Sequence, residues 1–489
     1  MMLIGARAAS HSTRITIVNW WIATIGMVVI LAVIAGMRVD KVRDRVIEWY
    51  RTLRRTLHEL SLLAAVSFAV VGGVGIVLLA TWILRFLIHT STKDADPIDI
   101  TKLSFTVAAG VGAAVALVVA YRRQRDVEQG RFVERFGAAA AQLGDHDVAV
   151  RIAGVYAMAG VADESAGQRR QQCIDVLCGY LRLPYSPDLG SNHQTKLVVT
   201  EPPGTSPDGT PIGQRERHLE FRQNDKEVRA TIVRVIADHL RDHEYRWSAY
   251  DFDFRTAYLE DVSFEGATFE GTTRFDTASF FGTAVFDGAS FSGPAGFNET
   301  TFFDEAWFDR TRFSCNATFG KATFTKIARF SRATFSDEAS FAEATFFGEA
   351  LFAQATFSGN AWFAQASFSR DAWFRTTKFS GTAWFGSATF SREADFDNAK
   401  FSKVAQFQDS EFSGPAKFGE AMFSGQTTFI ATKFCGEAWF TETDFGSEAI
   451  SFDDPRQWGP PPPVFDWDDD SSAKPHNVTP KSWPPAPVP

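Results

Sequence analysis

From Phe264 to Phe445 the chain carries two rows of phenylalanine, and each row recurs every eleven residues without a miss. One row runs Phe264, Phe275, Phe286 and on to Phe440; the other runs Phe269, Phe280, Phe291 and on to Phe445. Successive rings therefore alternate in spacing between five and six residues. Two residues before nearly every ring sits Ala or Thr, as in Ala284 before Phe286 and Ala333 before Phe335. A small and a large apolar residue at fixed separation, repeated this often, require a solenoid whose coils bury the same positions each time. A long helix is excluded by geometry, because residues five apart on a helix point about 140° away from one another and would split the rows over different faces. The abundance of Phe, Thr, Ser and Gly, with almost no Leu, also favours strands and turns.

At the start of this array Phe254, Leu259, Phe264 and Phe269 are spaced strictly by five. The stretch DFDFRTAYLEDVSFEGATF resembles the pentapeptide-repeat family, whose unit is a small residue, any residue, a central Leu or Phe, and two polar or small residues. The resemblance implies a right-handed quadrilateral β-helix in which four units make one square coil, with the central residue and the small residue two before it facing inward. This chain departs from the simple unit by inserting one residue in alternate repeats and by using Phe almost throughout. The expectation is a β-solenoid over residues 251–452 with a coil of 22 residues, each Phe stacked on a Phe one coil away. Nearly all of this aromatic content is core filling.

The N-terminal third has a different character. Ile15 to Met37, Leu60 to Leu84 and Leu103 to Tyr121 are apolar runs, each long enough to cross a hydrocarbon layer of about 30 Å at about 1.5 Å per residue. They predict a membrane domain over 15–121 with transmembrane helices at 15–37, 60–84 and 103–121, after an N-terminal tail of residues 1–14. Arg38, Lys41, Arg43, Arg45, Arg51, Arg54 and Arg55 follow the first run, and Arg122, Arg123 and Arg125 follow the third. Basic flanks stay in the cytoplasm, so the reading is a multi-pass protein of the inner (plasma) membrane with its C-terminal domain cytoplasmic. The lipid bilayer is then one partner. Gly72, Gly73, Gly75, Gly110 and Gly112 allow close helix packing within one chain or between chains, leaving a homo-oligomer open. Cys173, Cys178, Cys315 and Cys435 fit reduced thiols, since their spacing suggests neither a disulfide framework nor a zinc site.

Residues 122–250 read as a helical connector. Its segments RFVERFGAAAAQLG, HDVAVRIAGVYAMAGVADES and QRRQQCIDVLCGYLRL have apolar residues at helical spacing, and a further helix spans Asp225 to Arg241. The QLG and VRIAGVYA arrangement looks like a segment found beside pentapeptide repeats in actinobacterial membrane proteins. Residues 186–224 read as a flexible loop, and the acidic, proline-rich residues 453–489 as a disordered tail. His239 and His243 flank Asp242 in an order similar to a zinc-peptidase motif, with Asp where Glu is required and no third ligand evident; a charged helix end is the plainer account.

No nucleophile elbow, phosphate loop, dinucleotide fingerprint or metal spacing stands in a credible setting, so the sequence points to no enzyme, no cofactor and no metal. The expected role is a membrane-anchored scaffold presenting a rigid solenoid face to a cytoplasmic protein. Its surface is sought at the residue before each Phe of the first row, which the fold turns outward: Trp307, Leu351, Trp362, Trp373, Trp384 and Trp439. The resemblance implies an alternative, imitation of DNA toward an enzyme such as a topoisomerase. Acidic residues outnumber basic ones across 251–450, which suits mimicry and disfavours direct binding of nucleic acid. A third reading takes the outward row Ser279, Thr301, Thr323, Thr345, Ser367 and Thr389 as a hydroxyl array able to order water.

Overall fold

The computed structural model describes residues 97–185, 196–205, 211–220, 225–242 and 247–487. The chain divides into two compact units, Met1–Gly130 and Arg131–Pro489. The first described element is a 47-residue helix, α1, Pro97–Leu143. The expected span 103–121 lies inside it, yet the helix does not stop at Tyr121: it runs on through Arg122, Arg123, Arg125 and Asp126. Among the described residues no helix is long and apolar enough to cross a membrane. That finding corrects the reading of a transmembrane helix at 103–121 and, with it, of a three-span inner-membrane protein. The runs 15–37 and 60–84 lie outside the described residues.

In the second unit three helices precede the solenoid: α2, Val148–Glu164, α3, Gln168–Leu181, and α4, Asp225–Arg241. Asp147 starts α2 by accepting a hydrogen bond from the Ala149 amide at 2.7 Å, satisfying one of the open donors of the first turn. Gly154 lets α2 lie against the end of α1, since a Cβ there would sit 2.7 Å from the Leu143 nitrogen. Val155, Met158, Ile174, Leu177, Val228, Ile232 and Ile236 form the apolar centre of the bundle. A polar node crosses it, in which Asp225 accepts from Arg151 at 2.7 Å and from the Tyr180 hydroxyl at 2.5 Å. The buried guanidinium of Arg151 is compatible with an apolar interior because its charge is paired there.

The bundle seats on the first coil. Arg182 pairs with Asp253 at 2.7 Å, the Tyr185 hydroxyl donates to Glu260 at 2.8 Å, and Arg229 donates to the Tyr258 carbonyl at 3.0 Å. Arg241 reaches the Ser263 and Glu265 carbonyls at 3.0 and 2.8 Å. Within the segment read as a flexible loop, Lys196–Glu201 instead pairs antiparallel with Arg215–Glu220. The β-branched run Val198-Val199-Thr200 gives that strand its character.

The solenoid has four parallel walls, visited in order: a first of eleven strands beginning at Phe252–Asp253, a second of ten beginning at Tyr258–Glu260, a third of nine beginning at Ala284–Val285, and a fourth of eight beginning at Thr268–Phe269. Through the regular array every strand pairs with the strand 22 residues on, as Ala339 with Ala361 and Phe346 with Phe368. Most strands are only two residues long, so one side chain points in and its neighbour out, and on the first and third walls the next Phe turns in again at the corner. Every Phe of both rows is buried, the most exposed being Phe445 at 4 %. Rings one coil apart are parallel, Phe341 and Phe363 lying 4.9 Å apart at 2°. Rings of the opposite first and third walls meet edge to face in the interior, as Phe352 and Phe363 do at 5.4 Å and 88°.

Two kinds of corner alternate. One is a tight turn closed by a bond such as Ala355 N–H to the Phe352 carbonyl at 3.0 Å, whose third residue has positive φ. Arg310, Lys321, Arg332, Glu343, Gln354, Gln365 and Thr376 all hold it, at φ between 56° and 61°. The other corner carries the inserted sixth residue and often a glycine. At Gly348 the coils approach so closely that a Cβ would sit 2.2 Å from the Lys326 carbonyl.

The C-terminal segment departs from the expected disorder. Residues 453–487 fold onto the end of the solenoid: Gln457–Trp458, Val464–Phe465 and Val478–Thr479 extend the second, third and first walls. Phe465 and Trp467 are 3 % exposed. Proline and aspartate set the composition of this tail, but Trp458, Trp467 and Trp483 give it enough apolar surface to pack on an existing Phe layer.

Candidate interaction surface

The outward positions of the walls follow from the alternation Ala in, residue out, Phe in. On the first wall Trp362 and Trp384 occupy them on adjacent coils and stack at 3.6 Å and 6°. On the third wall, opposite in winding order, Leu351 pairs with Trp373, with Arg329 before and Asp395 after in the same column. Trp307 and Trp439 belong to the same column, beyond Arg329 on one side and beyond Lys417 on the other. The six predicted residues thus form two patches on opposite walls and do not converge on one site. All six are half-buried.

Their surroundings differ. Trp307 is engaged: its indole donates to Glu305 at 2.8 Å, and Arg329 lies over the ring at 5.1 Å while pairing with Asp309 at 2.6 Å. Trp362 and Trp384 cover each other's faces and offer their edges outward. The indole nitrogens of Trp362 and Trp373 are shielded from solvent without a hydrogen-bond partner. Beside Trp373, Asp395 is fully buried despite its outward position, held by Arg375 at 3.4 Å, which also reaches Asp397 at 3.2 Å. Burial pushes the Asp395 carboxyl above the usual range, and the neighbouring Asp397 charge adds to this. Lys417 pairs with Glu393 at 2.5 Å on the same wall. Acidic and basic side chains therefore alternate and neutralise each other around the third-wall patch.

The second wall carries the hydroxyl row in register, Thr301 with Ser279 and Thr323, and Ser367 with Thr389. At the corner between the second and third walls the structure adds exposed aromatics that the reading from spacing did not select. Phe303 is 44 % and Phe347 is 53 % exposed, and Phe281 stacks on Tyr258 and Phe303 at 4.0 and 4.2 Å. A groove of about 520 Å³ runs beside Phe347, Gly348 and Arg370. The signal was present in the doublets Phe280-Phe281, Phe302-Phe303 and Phe346-Phe347, whose second ring has no inward position to fill.

His239 takes part in a packing cluster. Its Nδ1 is 2.6 Å from the Val235 carbonyl, its Nε2 is 3.2 Å from Asp163, and its ring stacks on Trp247 at 4.2 Å. His243 lies outside the described residues, and among those described no group of three or more His, Cys, Asp or Glu side chains is placed to hold a metal ion. Cys173 is buried and its thiol is pushed up to about 11 by desolvation, which makes it inert.

Residues 275–323, 319–367 and 363–411 match the family model for pentapeptide repeats (9 copies). Among curated proteins nothing matches the chain, and among solved structures nothing does. The matched segments lie wholly within the four-walled array, whose fold suits protein interaction. Residues 275–411 of the solenoid are thus similar to pentapeptide repeats, with one residue added in every second unit.

Proposed function

We propose that the solenoid is a non-catalytic scaffold that captures a protein partner on its third wall, around Leu351 and Trp373. The observation that carries this reading is a half-exposed aliphatic and aromatic pair on a rigid wall whose flanking charges are already neutralised, so a partner covering it desolvates little free charge. The first-wall pair Trp362 and Trp384 is a weaker anchor, because one face of each ring is already occupied by the other. Trp307 is weaker still, being held by Glu305 and Arg329.

Crosslinking and pulldown with the full chain test the assignment. Leu351→Ala with Trp373→Ala is expected to weaken partner capture by about tenfold or more, the effect of losing a central aromatic anchor. Trp362→Ala is expected to leave it nearly unchanged. Capture that is indifferent to all three substitutions overturns the reading. The competing role, imitation of DNA toward a topoisomerase, is supported by the acidic excess of the solenoid and opposed by the pairing of Asp309, Asp395 and Glu393 with Arg and Lys. Inhibition of supercoiling by the protein would favour that role instead.

A further inference from the structure

Between the second and third walls the chain turns one of its wide corners, and one position of that corner recurs every 22 residues as Asp304, Lys326, Gly348, Arg370, Arg392 and Gly414. At Gly348 the side chain is missing where the coils on either side carry Lys326 and Arg370, and the groove of about 520 Å³ lies there. Ile327 and the exposed ring of Phe347 give it an apolar lining, and Arg392 borders it one coil beyond Arg370.

Six charged side chains line the groove, three of each sign, but the two signs are not equally available. Glu305 accepts from the Trp307 indole at 2.8 Å, and Asp371 accepts from the Glu393 amide at 3.3 Å. Glu393 itself, at the next coil, is held by Lys417 at 2.5 Å. Lys326, Arg370 and Arg392 are all exposed, and among the described residues their side chains have neither an ion pair nor a hydrogen bond. Three uncommitted cations therefore face one uncommitted acid, Glu349, around an apolar lining.

We propose that this corner groove binds a short acidic segment of a protein partner, with carboxylates on Lys326, Arg370 and Arg392 and an apolar side chain against Phe347. From Lys326 to Arg392 is three coil steps, a length of about 14 Å that about four residues of extended chain cover. Guanidinium groups take carboxylates through two parallel bonds, so the arginine pair fixes the segment along the rod axis. Nucleic acid fits worse, since its charge is continuous and would run against Asp304, Glu305 and Glu349. The groove uses other side chains than the patch at Leu351 and Trp373, and its assignment does not rest on that reading.

Fluorescence anisotropy of the full chain with a dye-labelled peptide, Glu-Glu-Phe-Glu-Glu, and with its glutamine counterpart tests the assignment. The glutamate peptide is expected to bind about tenfold more tightly or better at low salt. Arg370→Gln with Arg392→Gln is expected to weaken its binding by about tenfold, and Phe347→Ala by about threefold. Lys378 and Lys400, exposed and in register on the fourth wall, supply the control. Lys378→Gln with Lys400→Gln removes the same charge and is expected to leave binding unchanged, circular dichroism confirming the fold of each variant. Equal losses in the two double variants would reduce the effect to net charge and overturn the site. Indifference to the arginine substitutions, or equal binding of the two peptides, overturns it as well. Loss confined to the Leu351→Ala, Trp373→Ala chain would move the peptide to the third wall and equally overturn it. Tighter binding of a single-stranded oligonucleotide of the same charge, at the same ionic strength, would overturn the choice of an acidic peptide.

Discussion

At the level of single side chains the solenoid separates two kinds of aromatic residue that adjoin in sequence. Phe363 has parallel neighbours at 4.9 and 4.8 Å and edge-on neighbours at 5.4 Å on both sides, so Phe363→Ala opens a cavity that no mobile group can fill. Its expected cost is about 3 to 5 kcal/mol in denaturant unfolding, with hydrogen exchange rising in the adjacent coils. Trp362→Ala removes a half-exposed ring and is expected to cost about 1 kcal/mol or less. Equal losses would show that the inward and outward assignments are wrong. The tight corners make a second prediction. Thr376 is β-branched yet holds φ 56°, a region costly for such residues. Thr376→Asn is expected to stabilise by about 0.5 to 1 kcal/mol, read as a raised denaturant midpoint; a lowered one would contradict it. The inward residues were legible in the sequence because burial repeats at one fixed interval. The outward ones were legible in position only, since the interval does not reveal that Trp384 covers Trp362 or that Arg329 covers Trp307.

Among the elements, the helical bundle contains a histidine, His239, whose surroundings set a clear pH dependence. Burial pulls the His239 pKa down, but the hydrogen bond to Asp163, the bond to the Val235 carbonyl and the charges of Asp163 and Asp238 outweigh it and leave it above 6.5. A group whose pKa is higher folded than unfolded adds stability below the unfolded value and loses it as pH rises through the folded one. The bundle is therefore expected to weaken as pH climbs from about 6 toward 8, and His239→Gln to flatten that slope. A slope unchanged by the substitution would assign the dependence elsewhere. The helices were visible in their apolar spacing, with Gly144 and Pro184 as punctuation. The hairpin at Lys196–Glu201 and Arg215–Glu220 was hidden by its setting between Pro, Gly and Ser, and the terminal segment by its charge. Composition measures the average of a stretch, whereas Trp458, Trp467 and Trp483 act as three points of attachment on a core that already exists.

Over the whole molecule, the repeat was readable and the N-terminal reading was not. The interval of eleven residues specifies the closed four-wall winding because alternatives would expose some rings. Apolar runs carry less information: Leu103 to Tyr121 forms the early part of a helix that extends into Arg122 and Asp126. The eleven-residue interval is also half of the 22-residue coil, and the two halves present the same inward residues. Chain length can therefore change in half-turns at little cost to the interior. Excising one whole coil would leave every outward column in line, whereas excising residues 363–373 would turn all later coils by half a revolution. Trp384 would then lie across the barrel from Trp362, with the parallel ring columns rejoined. A lineage of such chains could reassign which side faces its surroundings by duplication or loss of eleven codons, without redesigning the core.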